Sequence, residues 1–170
     1  MVLNYICKKH YDLEYDKGGE IASKGKTNQQ LLRQLNGLSY FKKSGPKSLG
    51  KEDVFKWMIP ILDSSGISAE DQLNTFITHL CGQIEGSITS LGANKNESIL
   101  VSGGGTYNHY LIKELKKRLN IEVPTNEVID YKEALIFAFL GLYRFLGKKN
   151  TLSSVTGAKK AVCAGSIFTP

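Results

Sequence analysis

Apolar residues recur at helical spacing through most of the chain. Leu73, Phe76, Ile77, Leu80, Ile84 and Ile88 fall mostly three or four residues apart, which predicts one long helix ending near Ser90. Ser68-Ala69-Glu70-Asp71 supplies its start, a capping box with Asp in place of the usual Glu or Gln. Val2, Leu3 and Ile6 share one face of a short helix over residues 1–9, with no capping signal ahead of it. Leu31, Leu32 and Leu35 predict a helix over 29–35, capped by Thr27 or Asn28. A further helix begins near Glu52, where Pro60 limits or kinks it, and Ser64-Ser65-Gly66 breaks the chain again. Between these, residues 11–26 are polar around an Asp16-Lys17-Gly18-Gly19 turn, and residues 39–50 read as a loop.

The pattern changes in the second half. Ile99-Leu100-Val101 is a short apolar strand that runs into Gly103, Gly104 and Gly105, with a helix starting near Thr106 or Asn108 and continuing over 110–119. Residues 121–123 form a second strand, ended by Pro124. Strand, helix, strand implies a right-handed crossover and a parallel pair. The long helix ending near Ser90 is expected to lie beneath that sheet. Residues 131–146 are apolar nearly all round, which predicts a central, buried helix; it is too short to span a bilayer, and Gly141 interrupts it. Residues 151–157 read as a loop and 161–168 as a closing strand.

The glycine turn carries the main chemical signal. A strand feeding a bare turn and a helix N-terminus brings backbone N–H groups up to a phosphate or a sugar edge. Ser102, Thr106 and Asn108 add polar groups around it. The dinucleotide fingerprint needs a third glycine where Asn108 stands, and the phosphate-loop pattern ending in Gly-Lys-Ser/Thr occurs nowhere. A purely structural strand-to-helix turn fits the local pattern equally well. A Rossmann-type reading would use Glu122 or Glu127 on the ribose. Glu133 is the other candidate: as the acid in the first turn of the apolar helix, it either complements the helix dipole or faces sugar hydroxyls. The loops around Pro46-Lys47-Ser48 and Ser154-Val155-Thr156-Gly157 read as either ligand contacts or solvent-exposed connections. His79 reads as a helix-flank residue, and His10, His79 and His109 have no metal spacing.

Composition sets outer limits. The 170 residues suit one domain. The net charge of +6 comes from scattered lysines, not interleaved with aromatics, so solvated surface is favoured over a nucleic-acid partner. Cys7, Cys81 and Cys163 lie far apart without a Cys-x-x-Cys pair, which fits a reducing cytoplasm. No membrane segment or signal peptide is read in the chain.

Taken in order, several motifs resemble the carboxy-terminal half of anhydro-N-acetylmuramic acid kinase. They are Tyr15-Asp16-Lys17-Gly18-Gly19 with Ala22 and Gly25-Lys26; Pro46-Lys47-Ser48-Leu49-Gly50-Lys51-Glu52; Ser102-Gly103-Gly104-Gly105-Thr106-Tyr107-Asn108; Lys132-Glu133-Ala134 with Ala138; and Ser154-Val155-Thr156-Gly157-Ala158. The resemblance covers nearly the whole chain. It implies an α/β fold, a single actin-like, ribonuclease-H-like lobe over residues 1–170 with a mixed sheet and several packed helices. It implies ATP and Mg2+ as cofactors and 1,6-anhydro-N-acetylmuramic acid as substrate, ring-opened and phosphorylated on O6 in cell-wall recycling. Gly103, Gly104, Gly105 and Asn108 would then bind nucleotide, and Glu133 the sugar. Leu49 and Lys51 depart from the family's threonine and arginine. The Asp-Thr-Gly-Pro-x-Asn motif with the catalytic aspartate, and the amino-terminal phosphate-binding lobe with its Gly-Thr-Ser-x-Asp motif, are missing from these residues. The expectation is therefore half of an active site, inactive alone, with an apolar face that leaves room for a homodimer. A free nucleotide-binding or regulatory module of the same fold is the alternative.

Overall fold

The first helix, α1 (Val2–Tyr11), buries Val2, Ile6 and Cys7 on one face. It is followed by α2 (Gln29–Asn36), α3 (Ser39–Lys42), α4 (Lys51–Asp63) and α5 (Ala69–Ser90). Strand β1 (Ile99–Leu100), α6 (His109–Lys116) and β2 (Ile121–Glu122) come next, and α7 (Asn126–Phe145) and α8 (Ser153–Thr156) close the chain. This computed structural model describes residues 1–43, 47–92 and 97–168. They divide into two compact units, Met1–Val123 and Pro124–Pro170.

Helix α5 is the spine of the first unit. The Ser68 hydroxyl accepts from the Asp71 N–H at 3.2 Å, so the Ser68 half of the box read from sequence starts the helix, while the Asp71 carboxylate accepts from the Lys26 N–H. Helices α1, α2 and α6 and a 3-10 turn at Ala22–Lys24 pack around its first half. Leu73, Phe76, Ile77 and Cys81 are buried there, but so are Gln72, Asn74, Thr75 and His79. Buried polar groups are tolerated only when paired, and these pair with the surrounding segments. The Asn74 Nδ2 lies 3.0 Å from the Ala22 carbonyl, 2.9 Å from that of Gly25 and 2.7 Å from the Tyr110 hydroxyl. The Asn74 carbonyl oxygen accepts from Thr27 Oγ1 at 2.8 Å, and the Thr75 hydroxyl accepts from the Asn28 N–H at 2.8 Å. Asn28, rather than Thr27, caps α2, accepting from the N–H groups of Gln30 and Leu31.

Several expectations need correction. Helix α4 runs past Pro60 to Asp63. Part of the segment read as a loop after residue 39 is the short helix α3, whose Phe41 ring meets His79 edge-on at 4.7 Å. Tertiary contact, not local propensity, holds that turn. Ser44, Gly45 and Pro46 of the basic loop lie outside the described residues. Strands β1 and β2 do pair in parallel, with Ile99 opposite Ile121. Among the described residues this pair is the whole sheet, so the fold is a helix-dominated α/β arrangement and not the larger mixed sheet. No strand forms over 161–168; instead the side chains of Asn150 and Thr151 bond the backbone of Val162 and Ala164.

Helix α7 departs furthest from expectation. It begins at Asn126, and only Ile129 is buried. Leu135, Ile136, Phe137, Phe139, Leu142 and Phe145 are exposed, Phe145 to 75%. An apolar surface that wraps a helix needs elements on every side, and the unit that holds α7 contains only α8 and the irregular tail besides. No helix among the described residues is long and apolar enough to cross a membrane.

His79 is 1% exposed, not a flank residue. Its Nδ1 meets the Asn36 carboxamide oxygen at 2.6 Å, which fixes that nitrogen as the donor, while its Nε2 has no hydrogen-bond partner among the described residues. Burial therefore lowers its pKa from 6.5 to about 4. Below pH 6.5 the unfolded chain takes up the proton and the folded chain does not. The contribution to stability is full above pH 6.5 and is lost as pH falls towards 4. Urea unfolding between pH 7.5 and 4.5 is expected to show a falling midpoint, with a shallower fall in His79→Leu. Equal slopes in the two proteins would assign the acid sensitivity elsewhere.

Candidate functional site

The glycine turn is built by its own polar residues. At Gly103 the backbone adopts φ 103° and ψ 174°, a conformation open essentially to glycine alone. A 3-10 turn (Gly104–Tyr107) follows within the glycine turn expected between the strand and the helix, and the helix itself starts from its cap at Asn108, one of the two expected positions. The Thr106 N–H and hydroxyl both donate to the Gly103 carbonyl, at 2.9 and 2.6 Å. The Asn108 carboxamide oxygen accepts from the Leu111 N–H at 2.9 Å and caps α6. Thr106 and Asn108 therefore spend hydrogen bonds on the turn itself. Gly104 and Gly105 differ from Gly103: neither has a positive φ, and a Cβ built on either would meet no atom within 4 Å. Nothing within the described residues requires those two positions to be bare.

Both glycines line a cavity of about 520 Å³ within the first unit. Its other walls are the start of α1 (Met1, Leu3, Asn4), the 15–18 turn (Tyr15, Asp16, Gly18) and Tyr107, Asn108 and Leu111. The 15–18 turn comes close because Gly19, at φ 77°, packs against the glycine loop's helix cap. A Cβ at Gly19 would overlap the Asn108 carboxamide and Tyr110 Cβ. Sequence reading treated Asp16-Lys17-Gly18-Gly19 as a bare turn; its position in the resembled motif was the one signal that tied it to a site.

Charge decides what the cavity can hold. Among the described residues no lysine or arginine lines it, although the chain carries a net charge of +6. Its one carboxylate, Asp16, is occupied: its two oxygens accept from the Ile21 and Ala22 N–H groups at 2.9 Å each. The glycine turn offers backbone N–H groups, but no side chain among the described residues adds a cation to balance a triphosphate's charge, so this lining suits a neutral, flat, partly apolar group better. Lys47 does not supply the charge, because its ammonium bonds the carbonyls of Tyr40, Phe41 and Lys43. Among the described residues no cluster of His, Cys, Asp or Glu could hold a metal ion. With Asp16 spent on backbone N–H groups, the cavity offers Mg2+ no free carboxylate, so the residues present do not fit it. Cys7 and Cys81 are buried, and burial pushes both thiols up to about 11, which leaves them inert.

Comparison with known proteins bears on this arrangement directly. A family model described as anhydro-N-acetylmuramic acid kinase matches residues 1–170. The chain belongs to the anhydro-N-acetylmuramic acid kinase family. It is 33% identical to the anhydro-N-acetylmuramic acid kinase of Francisella tularensis subsp. novicida, over 98% of this chain and 46% of that protein. It is 34% identical to that of a Cyanothece species, over 91% and 43%, and 30% identical to that of Haemophilus influenzae, over 98% and 48%. The chain thus spans a little under half the length of the curated relatives it matches.

Of the residues this family resemblance singled out, Gly104, Gly105 and Asn108 meet at the cavity and Gly103 shapes the turn. Glu133 is exposed on α7, in the second unit, and two turns into the helix because α7 begins at Asn126. Its dipole reading therefore fails; Glu127 is the first-turn acid, its pKa lowered by a hydrogen bond from Thr125 and by the backbone N–H groups at the helix start.

Alanine at the three glycines separates conformation from ligand space. Gly103→Ala is expected to destabilise the fold by about 1–3 kcal/mol. Gly104→Ala and Gly105→Ala are expected to leave thermal stability unchanged or to raise it by about 0.4–1 kcal/mol. Thermal unfolding of the three variants reads this directly, and equal losses at all three would mean the bare surface is structural.

Proposed function

We propose that this chain forms the nucleoside side of the ATP site of an anhydro-N-acetylmuramic acid kinase. The observation that carries this reading is the pair of bare glycines, Gly104 and Gly105, lining a cavity without a cationic side chain. The base and ribose of ATP occupy that cavity, against the glycine turn and Asn108. The reading is supported by the position of the turn: it follows the carboxyl end of a parallel strand, where open α/β sheets bind their ligands.

The reaction carried by the whole family protein adds water across the 1,6-anhydro bond, opening the ring, and transfers the γ-phosphoryl group of ATP to O6. The products are N-acetylmuramic acid 6-phosphate and ADP. Such transfer depends on a metal ion to neutralise phosphate charge and on a base to orient the nucleophile. The residues of this chain contribute to neither. They bind and orient one end of ATP, while the phosphates project away from the cavity. Glu133 serves the sugar rather than the nucleotide. The chain by itself is then a nucleotide-binding lobe without kinase turnover.

Titration calorimetry tests the reading with ATP, adenosine, NAD and inorganic tripolyphosphate. ATP and adenosine are expected to bind with similar affinity and little dependence on salt, tripolyphosphate not at all, and NAD no better than adenosine. Tight, salt-sensitive binding of tripolyphosphate would make the cavity a phosphate site instead. A coupled assay with ATP and the anhydro sugar is expected to give no turnover by the chain alone; robust turnover would refute its inactivity.

A further inference from the structure

The cavity has an aromatic wall that the glycine signature does not account for. Tyr15 and Tyr107 both line it, although they come from turns far apart in the sequence. Tyr15 is 60% exposed, a large apolar ring left facing solvent at the cavity rim. It stands on a segment pinned at both ends. On one side, Asp12 ends α1 in the left-handed conformation at φ 55°, and the Leu13 N–H bonds back to the Cys7 carbonyl. On the other side, the buried Asp16 carboxylate is fixed by two backbone N–H groups. The ring is thus offered at a defined place without being used in the core.

We infer that Tyr15 is the stacking face for the nucleobase, and so an affinity-determining residue of the nucleotide site. This rests on the nucleoside reading above. The chemistry agrees with the rest of the lining. Leu3, Leu111 and Met1 give apolar contact, and the amides of Asn4 and Asn108 give polar edges. A sugar ring can also lie on a tyrosine, but it needs several free hydrogen-bonding side chains around it. Here the carboxylate and the Asn108 carboxamide oxygen are already taken. A flat aromatic base makes fewer such demands. Stacking also tolerates different bases, because every base has a π-face. The site therefore accepts ATP and GTP with affinities within a few fold of each other.

The test uses this chain and calorimetry with ATP, GTP, adenosine and the anhydro sugar. Tyr15→Ala and Tyr15→Leu are expected to weaken ATP and adenosine by the same factor, about 5- to 100-fold. Tyr15→Phe is expected to stay within about twofold of the parent, because the aromatic face is retained. Leucine keeps apolar bulk but no π-face, so unchanged affinity in Tyr15→Leu overturns the inference even if the alanine variant loses stability. Loss of anhydro-sugar binding with adenosine unaffected overturns it as well. Failure of the parent chain to bind ATP or adenosine at all is a different result, which removes the nucleoside reading on which the inference stands.

Discussion

A single buried carboxamide, Asn74, ties the first unit together. It sits on α5 with both ends of the amide engaged, donating towards the 22–25 segment and Tyr110 and accepting from Thr27. The apolar contacts of helix α5 have no preferred register, and Asn74, with Thr75 and His79 beside it, adds bonds that do. Directional bonds at 2.7–3.0 Å fix where the 22–28 segment and the start of α6 must lie. The glycine turn leads into α6, and Asp16 caps the start of the Ala22 turn, so both walls of the cavity inherit their positions from this seam. Gly25 follows the same logic, since a Cβ there would overlap the Glu70 carbonyl of α5.

Glycines in this protein have separable roles. Gly103 is needed for its backbone conformation, Gly19 and Gly25 for close approach, and Gly104 and Gly105 for neither. Gly82, Gly86 and Gly141 are equally open, but they sit within helices, and it is the pair lining the cavity that carries a functional argument. The polar residues of the same motif point the other way. Thr106 and Asn108, attractive as ligand contacts in the sequence, have structural work within the turn and at the helix cap.

The second unit presents the opposite problem. Helix α7 has the composition of a core helix, yet its phenylalanines lie exposed. The tail bonds its far end through Asn150 and Arg144 but covers little of it. Exposed apolar area of this kind is costly to leave in water, which accords with a chain that spans a little under half the length of its relatives.

Local chemistry was legible from the residues alone. The Ser68 cap, the Asn28 cap and the apolar period of α5 are set within about one helical turn, so they could be read without a fold. The parallel pairing of Ile99 with Ile121 followed from the short crossover between them, and the order of five motifs was enough to mark the family. Other features rest on segments distant in sequence. Periodicity says which residues of α5 face inward, but not that Asn74 and His79 would be buried there with partners on other elements. Nor does it say that Asn4, Tyr15 and Gly18 would reach the glycine turn. Gly19 can pack on Asn108 only after α5 and α6 have been registered by long-range hydrogen bonds, and no local pattern encodes that. The sequence by itself determined the longer helices, the strand–glycine–helix unit and the kinship, but not the short helices α3 and α8, which fall in segments that read as loops. The tertiary structure alone decided which of its glycines are bare for a ligand, because that depends on what else comes within reach of the missing Cβ.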